Sequence, residues 1–365
     1  MKTQAGYPPI YDINKSFDEN LAQGPNENYR NTIEIPKLTK KYKLLGYELN
    51  SPFGSSACPT GSDSKYIKKM FDCGYDIVTT KTRRSIYYRP NRMSNIVYIV
   101  PGKINETQNF KEISDRTTTT SAEYHSLTIA NSFGNNSIDP KYWVADEKIA
   151  NSYAKDGQLL IHSIVGTIQE GFNTKDYYED FAKTASMVKE TGAKAIEINF
   201  SCPNVANEGV LCYDKEAVFV VSRLVKEAVG DIPVLAKVGY FPPHSQKLLE
   251  DVVKSISPFV AGISAINTLA APIYDISGKQ ALPGKGRLKA GISGHAIKDI
   301  GLDMTKRLDK IRKSLDLQMA IISMGGVLNV EDFAEYRQAG ADAVLSATGA
   351  MWNPNLAAEI KNSLI

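Results

Sequence analysis

A chain of 365 residues with 42% apolar and 23% charged side chains can bury a sizeable core, which excludes a disordered chain and a disulfide-stapled mini-fold. The 43 basic and 40 acidic residues leave a net charge of +3 with no concentrated basic run, so no nucleic-acid partner is expected. Four cysteines, Cys58, Cys73, Cys202 and Cys212, form no C-x-x-C pair and no zinc or iron–sulfur spacing, so no metal is expected and the compartment reads as a reducing cytosol.

Residues 1–45 read as an N-terminal extension rich in Tyr, Pro, Asn and charge, without the apolar run of a signal peptide or a membrane span. From about residue 75 onward, short apolar runs alternate with helical patterns, the signature of βα units. Strands are predicted at residues 76–80, 127–131, 158–164, 195–200, 234–238, 260–266, 319–323 and 343–347. Their continuous apolar character suits strands buried on both faces. Eight such strands close most economically into a (β/α)8 barrel over residues 46–365. Residues 175–190 put Phe181, Ala185 and Val188 on one helical face with Gly192 as a stop, and residues 215–228 repeat the device with Val218, Val221, Leu224 and Val225. The polar stretch 83–126, which includes the run Thr117 to Thr120, reads as a long functional loop with room for strands of its own.

In a parallel barrel the strand C-termini and the loops after them form the active face. Five predicted strands end on Lys81, Asn131, Asn199, Lys237 and Asn267. A lone lysine at such a place reads most plainly as a snorkelling side chain; five polar ends converging on one mouth read as a site. Asparagine offers a donor and an acceptor together, so three of them can clasp a ring with N–H and C=O on one edge, as uracil-like rings have. The lysines suit a flavin N1/O2 region or a substrate carboxylate. Gly291-Ile292-Ser293-Gly294 at a predicted helix entrance, Met324-Gly325-Gly326 and Ala347-Thr348-Gly349 form a second signal, a phosphate cradle on late elements. The third is Asn199-Phe200-Ser201-Cys202-Pro203-Asn204. Above a barrel strand, the Cys202 thiol can exchange a proton with a ligand; its plainer reading is an inert packed thiol.

Together these motifs resemble the dihydroorotate dehydrogenases and the related FMN domain of dihydropyrimidine dehydrogenases, from about Tyr47 to the C-terminus. Asn-Phe-Ser-Cys-Pro-Asn is the most specific piece, with Thr80-Lys81-Thr82, Asn131-Ser132-Phe133-Gly134, Lys237, Ile266-Asn267-Thr268 and the three glycine motifs in the family order. The resemblance implies that Lys81, Asn131, the backbone of Phe133, Gly134 and Asn135, and Asn199, Asn204, Asn267 and Thr268 hold a pyrimidine ring. It implies that Ser56, Ala57, Asn199, Lys237, Ile266, Gly294, Gly325, Gly326, Ala347 and Thr348 hold FMN, with Lys81 and Thr82 close to both. Cys202 would remove the C5 proton while hydride leaves C6 for the flavin. A cysteine here, without membrane-binding N-terminal helices, is similar to the soluble cytoplasmic branch, whose members are typically homodimers and one subgroup of which uses fumarate.

Residues 51–59, Ser-Pro-Phe-Gly-Ser-Ser-Ala-Cys-Pro, depart from the usual Asn-Pro-Phe-Met-Asn-Ala-Ser-Gly toward the dihydropyrimidine version, and Asn135 replaces a usual Leu. The chain has no cysteine clusters for iron–sulfur centres, so electrons would leave to a small acceptor such as fumarate or to a separate subunit. The expected function is oxidation of dihydroorotate to orotate in pyrimidine biosynthesis. The alternatives are dihydropyrimidine dehydrogenase-type reduction of uracil or thymine, another FMN ring oxidoreductase, a barrel isomerase or aldolase holding a substrate phosphate, and a noncatalytic flavoprotein. Cys212 is a reserve acid, with a packed thiol as its plainer reading.

Overall fold

The computed structural model describes residues 8–99, 124–201, 210–275 and 277–365, together with the backbone of 110 and 111. Eight parallel strands, Phe53–Ser55, Ile77–Thr79, Leu159–Ile164, Ala195–Asn199, Val234–Val238, Gly262–Ala265, Ala320–Met324 and Ala343–Ser346, close into a barrel in chain order. Helices between them cover the outside, so the strands are buried on both faces as their apolar runs require. The helix Thr174–Lys189 begins at a capping box between Asn173 and Asp176 and buries Phe181, Ala185 and Val188. The helix Lys215–Val229, capped by Asp214, buries Val218, Val221 and Val225, with Leu224 half-buried.

Two expectations need correction. Residues 127–131 do not supply a barrel strand: Thr128–Asn131 pairs antiparallel with Ile96–Tyr98 and Lys289–Gly294 in a separate five-stranded sheet that includes Leu269–Tyr274 and Phe110–Lys111. The missing barrel strand is Phe53–Ser55, which has one large apolar residue and so carries no readable apolar run. Its Gly54 is required by a close approach, because a Cβ there would overlap the Ile77 carbonyl of the next strand. The glycine motif at 291–294 lies in the strand Lys289–Gly294 rather than opening a helix, and the long helix Lys298–Ser314 starts after a short 3₁₀ turn. The 83–126 loop does hold strands, while Thr117 to Thr120 lie outside the described residues.

The hairpin Tyr42–Leu44 and Tyr47–Leu49 packs Leu44 and Leu49 against Ile77, Leu159, Ile161 and Leu235, filling the barrel's N-terminal end. That leaves the C-terminal end for ligands. The preceding segment lies on the barrel: the Ile10 N–H donates to Met351 O at 2.9 Å, the Tyr29 hydroxyl to Ala350 O, and the Thr32 N–H to the Asn355 side chain at 2.8 Å. Its helix Phe17–Gln23 sets Phe17 against Phe133, ring centres 6.4 Å apart.

Beside the second strand, Arg83, Glu147 and His162 form a fully buried ionic cluster. Arg83 Nε and His162 Nδ1 each sit 2.6 Å from a different Glu147 oxygen, and Asn151 closes the other side of the imidazole at 3.0 Å. Burial alone would push the Glu147 carboxyl up; His162 and Arg83 outweigh it and hold the group below its ordinary range. Glu147→Gln leaves the Arg83 charge unpaired and is expected to lower unfolding free energy by about 3–5 kcal/mol in equilibrium urea unfolding. Because the folded pKa is depressed, the wild-type contribution is present above the unfolded carboxylate range and is lost as pH falls through the folded value. An unchanged urea midpoint at neutral pH would contradict the assignment.

Candidate active site

A cavity of about 1020 Å³ opens at the C-terminal ends of the barrel strands, beneath the antiparallel sheet. The described residues that the sequence assigns to ring or cofactor line it. Ser56 and Ala57 follow the first strand, Lys81 and Thr82 the second, and Asn199 ends the fourth. Lys237 lies in the fifth, Ile266, Asn267 and Thr268 follow the sixth, Gly325 and Gly326 the seventh, and Ala347 and Thr348 the eighth. Asn131, Phe133, Gly134, Asn135 and Gly294 reach the cavity from the overlying sheet and its loops. Cys202 and Asn204 lie outside the described residues; Ser201, the residue before Cys202, lines the cavity. Cys212 does not line it, and burial pushes its thiol up to about 12, as a packed thiol requires.

The amides are tied together across the lumen. Asn199 Oδ1 accepts from the Ser201 hydroxyl at 3.0 Å and from Asn267 Nδ2 at 3.3 Å, while Asn199 Nδ2 donates to Thr82 Oγ1 at 3.4 Å. Thr82 in turn meets Ser163 at 3.0 Å, and Asn267 also donates to Ser201. Asn131 Nδ2 donates to Gly291 O at 2.9 Å, which fixes its side chain across the sheet. Such coupled groups arrive pre-oriented, so a planar ring meets donors and acceptors already placed.

On the far side, Gly326 has φ +70°, and a Cβ there would lie 2.8 Å from Lys298 Cβ and 2.9 Å from Gly294 O. The N–H groups of Gly325, Gly326 and Thr348 have no acceptor within the chain among the described residues. This is a backbone cradle of unpaired donors, the arrangement that suits a phosphate. Lys298 is held by Asp332 at 2.6 Å and Glu335 at 2.9 Å, so its charge is already neutralised. Lys237 is buried 3.7 Å from Glu197, too far for a hydrogen bond, and keeps its donors for a ligand. A cradle of amide donors that would suit a phosphate and the buried Lys237 in the same cavity as the amides fit FMN.

Lys81 is 7% exposed, with its ammonium 4.8 Å from the Phe133 ring centre and 5.7 Å from that of Phe17. It has no carboxylate partner among the described residues. Burial, followed by the nearby Arg83 charge, lowers it to about 7. Among the described residues six cationic ones line the cavity, Lys81, Arg84, Lys237, Lys285, Arg287 and Lys289, and no described lining residue is Asp or Glu. Of these, Arg84, Lys285, Arg287 and Lys289 carried no motif that sequence reasoning could use. The same holds for Tyr88, which also faces the cavity, as does Cys58 of the 51–59 segment.

Gly326→Ala is expected to weaken FMN retention about tenfold, since a left-handed φ costs a residue with a Cβ about 1–2 kcal/mol and the added methyl meets Lys298. Equilibrium dialysis of flavin against the variant measures it, and retention equal to wild type would move the phosphate elsewhere.

The sequence profile of the dihydroorotate dehydrogenase family matches residues 89–365. The dihydroorotate dehydrogenase of Dictyostelium discoideum is 34% identical over 371 residues, covering 97% of each chain. The catalytic subunit of the NAD(+)-linked dihydroorotate dehydrogenase B of Staphylococcus carnosus is 33% identical over 56% of this chain and 61% of its own. Dihydroorotate dehydrogenase A (fumarate) of Limosilactobacillus reuteri is 31% identical over 50% of this chain and 56% of its own. The chain therefore belongs to the dihydroorotate dehydrogenase family, whose members are FMN-dependent oxidoreductases.

Proposed function

We propose that the chain oxidises dihydroorotate to orotate in pyrimidine biosynthesis. The observation that carries this choice of ring is the lining of the cavity: a buried lysine, Lys81, lines it with the amide cluster, and among the described residues no lining carboxylate repels an anionic substrate. Dihydrouracil is neutral and would leave Lys81 without a counter-charge, so the lining favours the carboxylated ring.

Bound FMN supplies the acceptor for the hydride from C6. Asn131, Asn199, Asn204, Asn267 and Thr268 hold the ring edges, and Lys81 with the backbone amides of Phe133 to Asn135 takes the carboxylate. Cys202 Sγ takes the C5 proton from the opposite face; it lies three positions after Asn199, which ends a barrel strand, and next to the cavity-lining Ser201. Lys237, Ile266, Gly294, Gly325, Gly326, Ala347 and Thr348 hold the cofactor, with Ser56, Ala57 and Thr82 along its ring. The acceptor we propose is a small anion such as fumarate, which suits a lining with no acid among its described residues, with a separate electron-transfer subunit as the alternative. Among the described residues no helix is long and apolar enough to cross a membrane. We place the enzyme in the cytoplasm as a homodimer, as in the branch it resembles.

Anaerobic titration of the FMN-loaded protein with dihydroorotate, and separately with dihydrouracil, tests the reading. Dihydroorotate alone is expected to bleach the visible flavin band; bleaching by dihydrouracil alone would assign the chain to the neutral ring. Cys202→Ala is expected to keep FMN and slow that bleaching by about 10²–10⁴-fold, the usual weight of a general base. An unchanged single-turnover rate would remove Cys202 from the mechanism.

A further inference from the structure

Two of the cavity's cations are arginines buried without a counter-charge. Arg84 is 3% exposed and Arg287 9%, and neither has a carboxylate partner among the described residues. Their donors go to neutral oxygens. Arg84 Nε donates to Asn135 O at 2.8 Å, and its Nη1 to Gly166 O at 2.8 Å and Thr167 Oγ1 at 3.0 Å, with the guanidinium 4.2 Å from the Tyr88 ring centre. Arg287 donates to Ser132 O at 3.0 Å, Ser94 O at 2.9 Å, Arg92 O at 2.8 Å and Pro283 O at 2.7 Å. Its Nε also reaches Ser132 Oγ at 3.3 Å. The contrast with Arg83 is informative, because that neighbour of Arg84 is neutralised by Glu147 at 2.6 Å.

These contacts grip both ends of the 131–135 loop. A trans peptide points its C=O and N–H in opposite directions. Ser132 O held by Arg287 therefore turns the Phe133 N–H away from the guanidinium, and Phe133 O, held by the Asn91 N–H at 3.0 Å, turns the Gly134 N–H away from Asn91. Neither the Phe133 nor the Gly134 N–H has an acceptor within the chain among the described residues, and both residues line the cavity. The loop thus presents oriented amide donors with two guanidinium charges behind it that meet no carboxylate among the described residues. In a cavity wall whose described residues include no acid, such charges act at short range and with little screening.

We propose that Arg84 and Arg287 are positioning residues that make this site select a carboxylated ring over a neutral one. They do so by fixing the amides of the 131–135 loop and by setting beside them two positive charges that no described carboxylate neutralises. The inference rests on the dihydroorotate reading and adds residues outside the motifs that carry the family resemblance. The braced amides and the guanidinium charges both face the carboxylate, so losing either costs the anionic ring more than the neutral one.

The test compares the affinities of orotate and uracil for the FMN-loaded protein, read from the shift each causes in the flavin spectrum. Arg84→Gln and Arg287→Gln are each expected to weaken orotate about tenfold or more and uracil less than about twofold, since a charged partner is lost only for the anion. Equal weakening of both ligands, or none, overturns the inference and leaves the dihydroorotate reading intact. A wild-type protein that binds uracil but not orotate overturns both. Arg84→Lys and Arg287→Lys keep the charge and lose the planar fork. Should the Gln variants not fold or retain FMN, these become the deciding pair. A fall of about threefold or more in the orotate-to-uracil affinity ratio supports the inference, because the fork holds the loop; an unchanged ratio overturns it.

Discussion

A buried ammonium without a partner is an expensive object, and Lys81 is the constraint around which the active end of this barrel is arranged. Its position two residues after a barrel strand forces it into the mouth, where Phe17 and Phe133 cover it and Arg83, Arg84 and Lys237 add to the positive field. Among the described residues nothing in the lining neutralises it. A wall whose described residues include no carboxylate leaves that charge for an incoming anion. The aromatic cover comes from two distant parts of the chain, the N-terminal helix and the 131–135 loop, so the extension that precedes the barrel packs behind two residues of the site wall, Lys81 and Phe133.

Neighbouring residues in this region show how burial separates structure from recognition. Arg83 and Arg84 are adjacent in sequence and equally hidden, yet Arg83 faces outward to Glu147 and His162 while Arg84 faces the cavity and meets only neutral oxygens. The first arrangement is a closed ionic cluster that binds strand to helix. The second leaves charge available. Lys298 repeats the closed pattern beside the glycine cradle, where Asp332 and Glu335 take its charge and leave the phosphate to backbone amides.

Much of this was legible in the sequence because a barrel strand is an apolar run and its functional end is the first polar residue after it. Lys81, Asn199, Lys237 and Asn267 announce themselves in that way, and the late glycines mark the cradle. The same rule misplaced 127–131, since a buried strand of the separate sheet reads like a barrel strand, and it passed over Phe53–Ser55, which has almost no apolar run to read. Arg84 and Arg287 were illegible for a different reason. They lie about two hundred positions apart in the chain, and only folding brings both onto one loop, where the missing carboxylates rather than any motif give them meaning.

The most direct test of this account is proton uptake on ligand binding. With Lys81 lowered to about 7, most of its side chains are neutral at pH 8, and a carboxylate bound beside it must bring the proton back. Calorimetric titration of the FMN-loaded protein with orotate at pH 8, in buffers of different ionisation enthalpy, should show uptake approaching one proton per site, fading toward pH 6 and absent in Lys81→Met. Orotate binding at pH 8 without proton uptake, or with the same uptake in Lys81→Met, would contradict the claim that this lysine is held in reserve for the substrate's charge.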